Sequence, residues 1–189
     1  MTFLCPGRYH WLLQYYLRAE HEDEPLTISG GGRKLILADV TIENEMILID
    51  GIIEAENDAR VIFNPEAIVS GGADASHIHA PVYHSGSGEK NFPLGNGSLY
   101  LPVSLIHVED PSAFVGIEGF EVTGGMLPRA PSLEAISANR YWHINVVEGS
   151  PNSRIALPVR DETSLIDPDK LVVAESPSRS EKFESLGLS

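Results

Sequence analysis

The chain has 189 residues, 42% of them apolar, which is enough for one large domain or two small ones with a real core. Its 27 acidic and 13 basic residues give a formal charge of -14 and a pI near 4.8, the wrong sign for a phosphate-rich surface, so nucleic acid is not an expected partner. No apolar run approaches the roughly 20 residues that span a bilayer, so membrane insertion is not expected either. The single Cys5 allows neither an internal disulfide nor a Cys-based zinc site.

At the N-terminus, Tyr9, Leu12, Leu13, Tyr16 and Leu17 fall at helical spacing, which allows an amphipathic N-terminal helix. The stretch lacks a basic leader and a cleavage site and is not read as a signal peptide. The acidic run Glu20-His21-Glu22-Asp23-Glu24, closed by Pro25, reads as a solvated linker, so residues 1–25 form an extension.

From Leu26 the apolar period changes to two. Val40 and Ile42 alternate with Asp39, Thr41 and Glu43, and Ile53 and Ala55 alternate with Glu54 and Glu56, the pattern of strands with one buried face. Three stretches share a strand, polar corner, strand form, with corners at Asp39, Asp50 and Asn64 that lie 11 and 14 residues apart. That spacing suits successive coils of a right-handed β-helix-like stretch over residues 26–74, with a plain antiparallel meander as the alternative. Within it, Gly30-Gly31-Gly32 lacks the spacing of a phosphate loop and reads as a hairpin or a coil corner that uses positive φ.

Beyond Gly71-Gly72 six short β-rich runs, cut by Gly and Pro, predict a β-sandwich over residues 75–189. Phe92, Tyr100, Tyr141 and Trp142 stand beside turn or strand signals and are read as structural aromatics between its sheets. The expected fold class is therefore all-β. Residues 124–139, with Pro128 and Pro131, are read as a long connection with at most a turn of helix near Leu133.

Several landmarks occur in one order: Ser70-Gly71-Gly72, Ile78-His79-Ala80-Pro81-Val82, Gly86-Ser87-Gly88, Phe92-Pro93-Leu94-Gly95 and Tyr100-Leu101-Pro102-Val103. Further on come Tyr141-Trp142 with Ile144, Leu171-Val172-Val173-Ala174 and Glu184-Ser185-Leu186-Gly187. This order resembles the β-helix to β-sandwich module of large surface proteins exported by type IX secretion in gliding-type bacteria. Here Ala80 stands where that family favours glycine, and Leu101 where arginine is common. The resemblance implies a secreted or cell-surface location and a structural or adhesive role inside a longer polypeptide. The partners it implies are neighbouring domains and a surface glycan, and it brings no catalytic residues to this chain.

Several chemistry-bearing patterns stand beside it. His77-Ile78-His79, with His107, echoes the H-x-H of cupin barrels, and strand alternation puts His77 and His79 on one face, so these three are the metal candidates of an alternative cupin-like reading. A carboxylate four or five residues after H-x-H, which cupins require, is missing. No nucleophile elbow is found, and Ser85-Gly86-Ser87-Gly88 reads as a turn. Glu54 and Glu56, like the acids at Asp50, Asp58, Asp167 and Asp169, read as solvated. No cofactor and no enzyme activity are expected.

Overall fold

The computed structural model describes residues 2–3, 11–12, 24–121, 127–137, 140–159 and 172–186. The described residues contain strands and turns and no helix, so the chain is all-β. Of the residues at helical spacing near the N-terminus, Leu12 alone is described, and it lies in a strand.

Strands β3 (Leu26–Ile28), β4 (Arg33–Ile36) and β5 (Val40–Ile42) make one coil. A second coil is β6 (Glu45–Leu48), β7 (Ile52–Ala55) and β8 (Val61–Phe63), and a third is β9 (Ile68–Gly71), β10 (Ile78–His79) and β11 (Val82–Ser85). Each strand pairs in parallel with its counterpart one coil away: Leu26 with Met46 and Val69, Lys34 with Ile53 and Ile78, Val40 with Val61 and Val82. Parallel ladders with three strands per turn make this a β-helix rather than a meander. The short strands β1 (Thr2–Phe3) and β2 (Trp11–Leu12) extend two of the ladders below the first coil.

The coil period is therefore about 20 residues, as Leu26 to Met46 shows, and not 11 or 14. The anticipated corners are real but belong to different sides of the coil. Asp39 lies between β4 and β5, Asp50 between β6 and β7, and Asn64 after β8. Three strand-corner-strand units had the same local pattern because every side of a coil needs one. The three glycines form the corner between β3 and β4 with φ of 87°, 66° and 68°, values that a Cβ would strain.

Inward-facing side chains stack from coil to coil. One column runs Val40, Val61, Val82, and the next runs Ile42, Phe63, His84. Burial of such columns, at about 25 cal/mol per Å² of apolar area, supplies the main force holding the coils together. The anticipated boundary at Asp74 falls between β9 and β10, both of which continue their parallel ladders.

The third ladder then changes direction. β16 (Phe114–Glu121) lies antiparallel on β11, with Ile117 opposite Val82 and Val115 opposite His84, so both interior columns gain a final member. β17 (Arg140–Glu148) is the outermost strand of this sheet. A second antiparallel sheet, β12 (Gly88–Phe92), β15 (Val103–Val108) and β18 (Arg154–Ala156), turns Phe92, Val103, Leu105 and Val108 onto the same apolar cluster. The hairpin β13 (Gly95–Asn96) and β14 (Leu99–Tyr100) connects β12 to β15.

Two compact units result: residues 1–119 with 142–158, and residues 120–141 with 159–189. In the smaller unit β19 (Ala174–Glu175) pairs with β20 (Glu184–Ser185), Arg129 bridges to Phe183, and the Phe120 and Tyr141 rings stack at 5.2 Å. Leu133 is buried there in a turn closed by its amide on the Ala130 carbonyl, where one turn of helix was anticipated.

Candidate functional site

Alternation places His77 and His79 together only if one strand carries both. β10 begins at Ile78, so the period of two does not reach His77. The His77 ring is fully buried against Gly95, and its Nδ1–H donates to the Ala73 carbonyl at 3.2 Å. A Cβ on Gly95 would come within 2.2 Å of that ring, which gives the Phe92-Pro93-Leu94-Gly95 motif a packing reason for its glycine. Desolvation lowers the His77 pKa and keeps the ring neutral.

His79 faces outward, half-exposed, with Nδ1 3.7 Å from a Glu54 oxygen, and Arg33 reaches the same carboxylate at 3.0 Å. These three residues occupy the same side of three successive coils, so they form a ladder of polar side chains up the outside of the helix. His107 sits elsewhere. β15 spends three steps, Leu105 to Val108, where β12 spends two, Lys90 to Gly88. His107 lies in this bulge at a φ of 65°, exposed to solvent. Among the described residues no three of His, Cys, Asp and Glu are grouped to hold a metal ion. The acids Asp167 and Asp169 and the lone Cys5 lie outside the described residues.

Two polar side chains that share parity with apolar neighbours on their strands, His84 and Lys90, lie in the core. His84 is 3% exposed, stacked on Phe63 at 4.6 Å and edge-on to Phe92 at 4.7 Å. Its Nε2–H donates to the Asn91 carbonyl at 2.9 Å, which leaves Nδ1 without a hydrogen-bond partner. Burial drives its pKa down to about 4. Lys90, on the Phe92 side of β12, donates from Nζ to the Pro65 carbonyl at 2.8 Å, and desolvation lowers its pKa as well. The signal was present in the sequence: Val82 and His84 share parity, as do Lys90 and Phe92.

The outer face of the sheet that carries β16 and β17 gathers further aromatic and charged side chains. Tyr83 lies flat over Gly116, where a Cβ would meet the ring at 2.4 Å, with Phe114 beside it at 5.2 Å. The Arg60 guanidinium sits 5.2 Å from the Tyr83 ring centre while it pairs with Asp39 one coil below at 2.5 Å. The Arg60 hydrogen bonds hold the Asp39 carboxyl below its usual range. Along the same face Glu118, half-buried, has its pKa raised by desolvation, offset in part by His143 and His79.

The structural aromatics fall into four settings. Phe92 is fully buried, and Tyr100 packs on Gly72 with its amide on Asp74. Tyr141 stacks on Phe120 under the Arg179 guanidinium. Trp142 is half-buried against Gly119, while Ile144 and Val146, at the same strand parity, are exposed because β17 is an edge strand. Chemically, the buried imidazoles and amine are engaged by backbone carbonyls, and the ion pairs Arg33–Glu54 and Arg60–Asp39 join neighbouring coils. The sequence matches no family model, and neither the search of curated proteins nor that of solved structures found a match.

Proposed function

We propose that this chain is a non-catalytic structural or adhesive module of a larger secreted or cell-surface protein. The observation that carries the reading is the use made of its reactive side chains. His77, His84 and Lys90 each bind a backbone carbonyl inside the core, so the chemistry that could serve a substrate instead fixes the fold. Support also comes from the order of elements, in which parallel coils are followed by antiparallel sheets, the order of the module that the chain resembles. The last two strand motifs, around Ala174 and Glu184-Ser185, pair with each other.

The test is where the chain sits and in what. Protease treatment of intact producing cells is expected to release peptides of this chain, and immunoblots are expected to find it in a polypeptide longer than 189 residues. Peptides released only after lysis would overturn the cell-surface assignment.

A further inference from the structure

β17 is the longest strand among the described residues, at nine residues, and among those residues one of its edges has no partner strand. Proteins normally blunt such an edge with short length, proline, lysine or a bulge, because unpaired amides and carbonyls invite another strand. Two other ladder ends obey that rule here: β5 has three residues and β9 has four, ending at Gly71. β17 does not. Between Trp142 and Val147 it carries no proline, glycine or lysine, and Ile144, Val146 and Val147 are 42%, 48% and 53% exposed. Asn145 lies near the Tyr83 hydroxyl on the outer face, so Trp142, Ile144 and Val146 occupy the opposite one, starting from the Trp142 ring on the core.

We propose that β17 pairs antiparallel with β17 of a second copy, about a two-fold axis through Ile144, so that the two third sheets become one. The sequence of the strand selects this register. Centred on Ile144, each Ile144 meets its own copy, Trp142 meets Val146, and His143 meets Asn145, so apolar faces apolar and polar faces polar. Centring on Asn145 sets Trp142 against Glu148 and His143 against Val147. Centring on Val146 sets Ile144 against Glu148, and centring on His143 brings two imidazoles together. Cross-strand pairs of the first kind stabilise a sheet, and mismatched ones do not. The contact is isologous and consumes both free edges, so assembly stops at a dimer.

An interface built on one strand pair belongs to the small, transient class, so the test spans concentration. In sedimentation equilibrium from low micromolar to about millimolar protein, the mass should rise towards twice the monomer. Ile144→Lys sets two ammonium groups opposite each other and should weaken the dimer at least about tenfold. Its urea midpoint, compared with the parent, reports whether it is folded. A second variant needs no loss of stability: in a Cys5→Ser background, Ile144→Cys should form a disulfide-linked dimer on oxidation. A residue on the axis meets its copy at a Cα separation of about 4.5–5.5 Å, within disulfide reach. Thr41→Cys, on the far strand of the same sheet, should not cross-link. A mass that stays monomeric throughout would overturn the proposal and leave the edge to a strand of a different chain. A dimer that survives Ile144→Lys, or equal cross-linking through Thr41→Cys, would overturn it too.

Discussion

His84 is an imidazole that the fold holds neutral. Its pKa is about 4 in the native state against about 6.5 in an unfolded chain, so the unfolded state binds more protons between those values. Stability contributed by the neutral ring is complete above about pH 6.5 and is lost as pH falls through the folded value, by at most about 3 kcal/mol. His77, also pushed down by burial, acts in the same direction. His84→Phe keeps an aromatic between Phe63 and Phe92 but cannot be charged. It should cost about 1 kcal/mol at pH 7 through the abandoned Asn91 carbonyl, and lose less on acidification than the parent. Urea melts at pH 7 and pH 4.5 on both proteins check this; parallel losses would contradict it. Burial also separates two aromatics of similar promise. Phe92→Ala should cost about 3–5 kcal/mol, while Trp142→Ala should cost less, because the edge strand leaves the indole half in water.

At the level of elements, bulge and close approach decide what a residue is for. His107 adopts left-handed backbone inside the β15 bulge, so its identity matters less than its φ. His107→Gly should be neutral or stabilise by up to about 1 kcal/mol, whereas His107→Val should cost about 1–3 kcal/mol. A metal ligand would show the reverse, with loss of bound metal on either change. Gly95 is the opposite case, with no positive φ but an imidazole against its Cα. Gly95→Ala should destabilise by about 1–3 kcal/mol and shift the His77 resonances in NMR spectra.

These elements also show what the sequence made legible. Period-two alternation located β5 and β7, because one face of each strand packs inward. The coil period was misread, since Asp39, Asp50 and Asn64 are locally alike and only the parallel register tells one side of a coil from another. The histidines misled for a related reason: whether His77 shares a face with His79 depends on where β10 starts, and a two-residue strand leaves little pattern to read. Trp142, Ile144 and Val146 alternate as a buried strand would. Edge position, which no local pattern encodes, leaves the last two exposed.

Across the molecule, the second coil alone among the three full coils has a coil on each side, so β6, β7 and β8 are paired along both edges. Hydrogen exchange should therefore be slowest over residues 45–63 and faster in the flanking coils, with β17 the fastest strand of its sheet in the monomer. Exchange by mass spectrometry on peptides from each coil checks the order; uniform protection across all three coils would refute it. The same ladder has a kinetic side. Arg60 reaches Asp39, Glu54 reaches Arg33, and Ser70 reaches Glu45 over 21 to 25 residues of chain. Each coil thus needs only the coil just before it as a template, and the entropy of closing a loop of that length is paid once per turn rather than once for the whole sheet. Growth from the N-terminal end, one turn at a time, is open to a chain that emerges gradually from a ribosome or a translocation pore. The Tyr83–Asn145 contact, 62 residues apart, must wait until β17 has arrived.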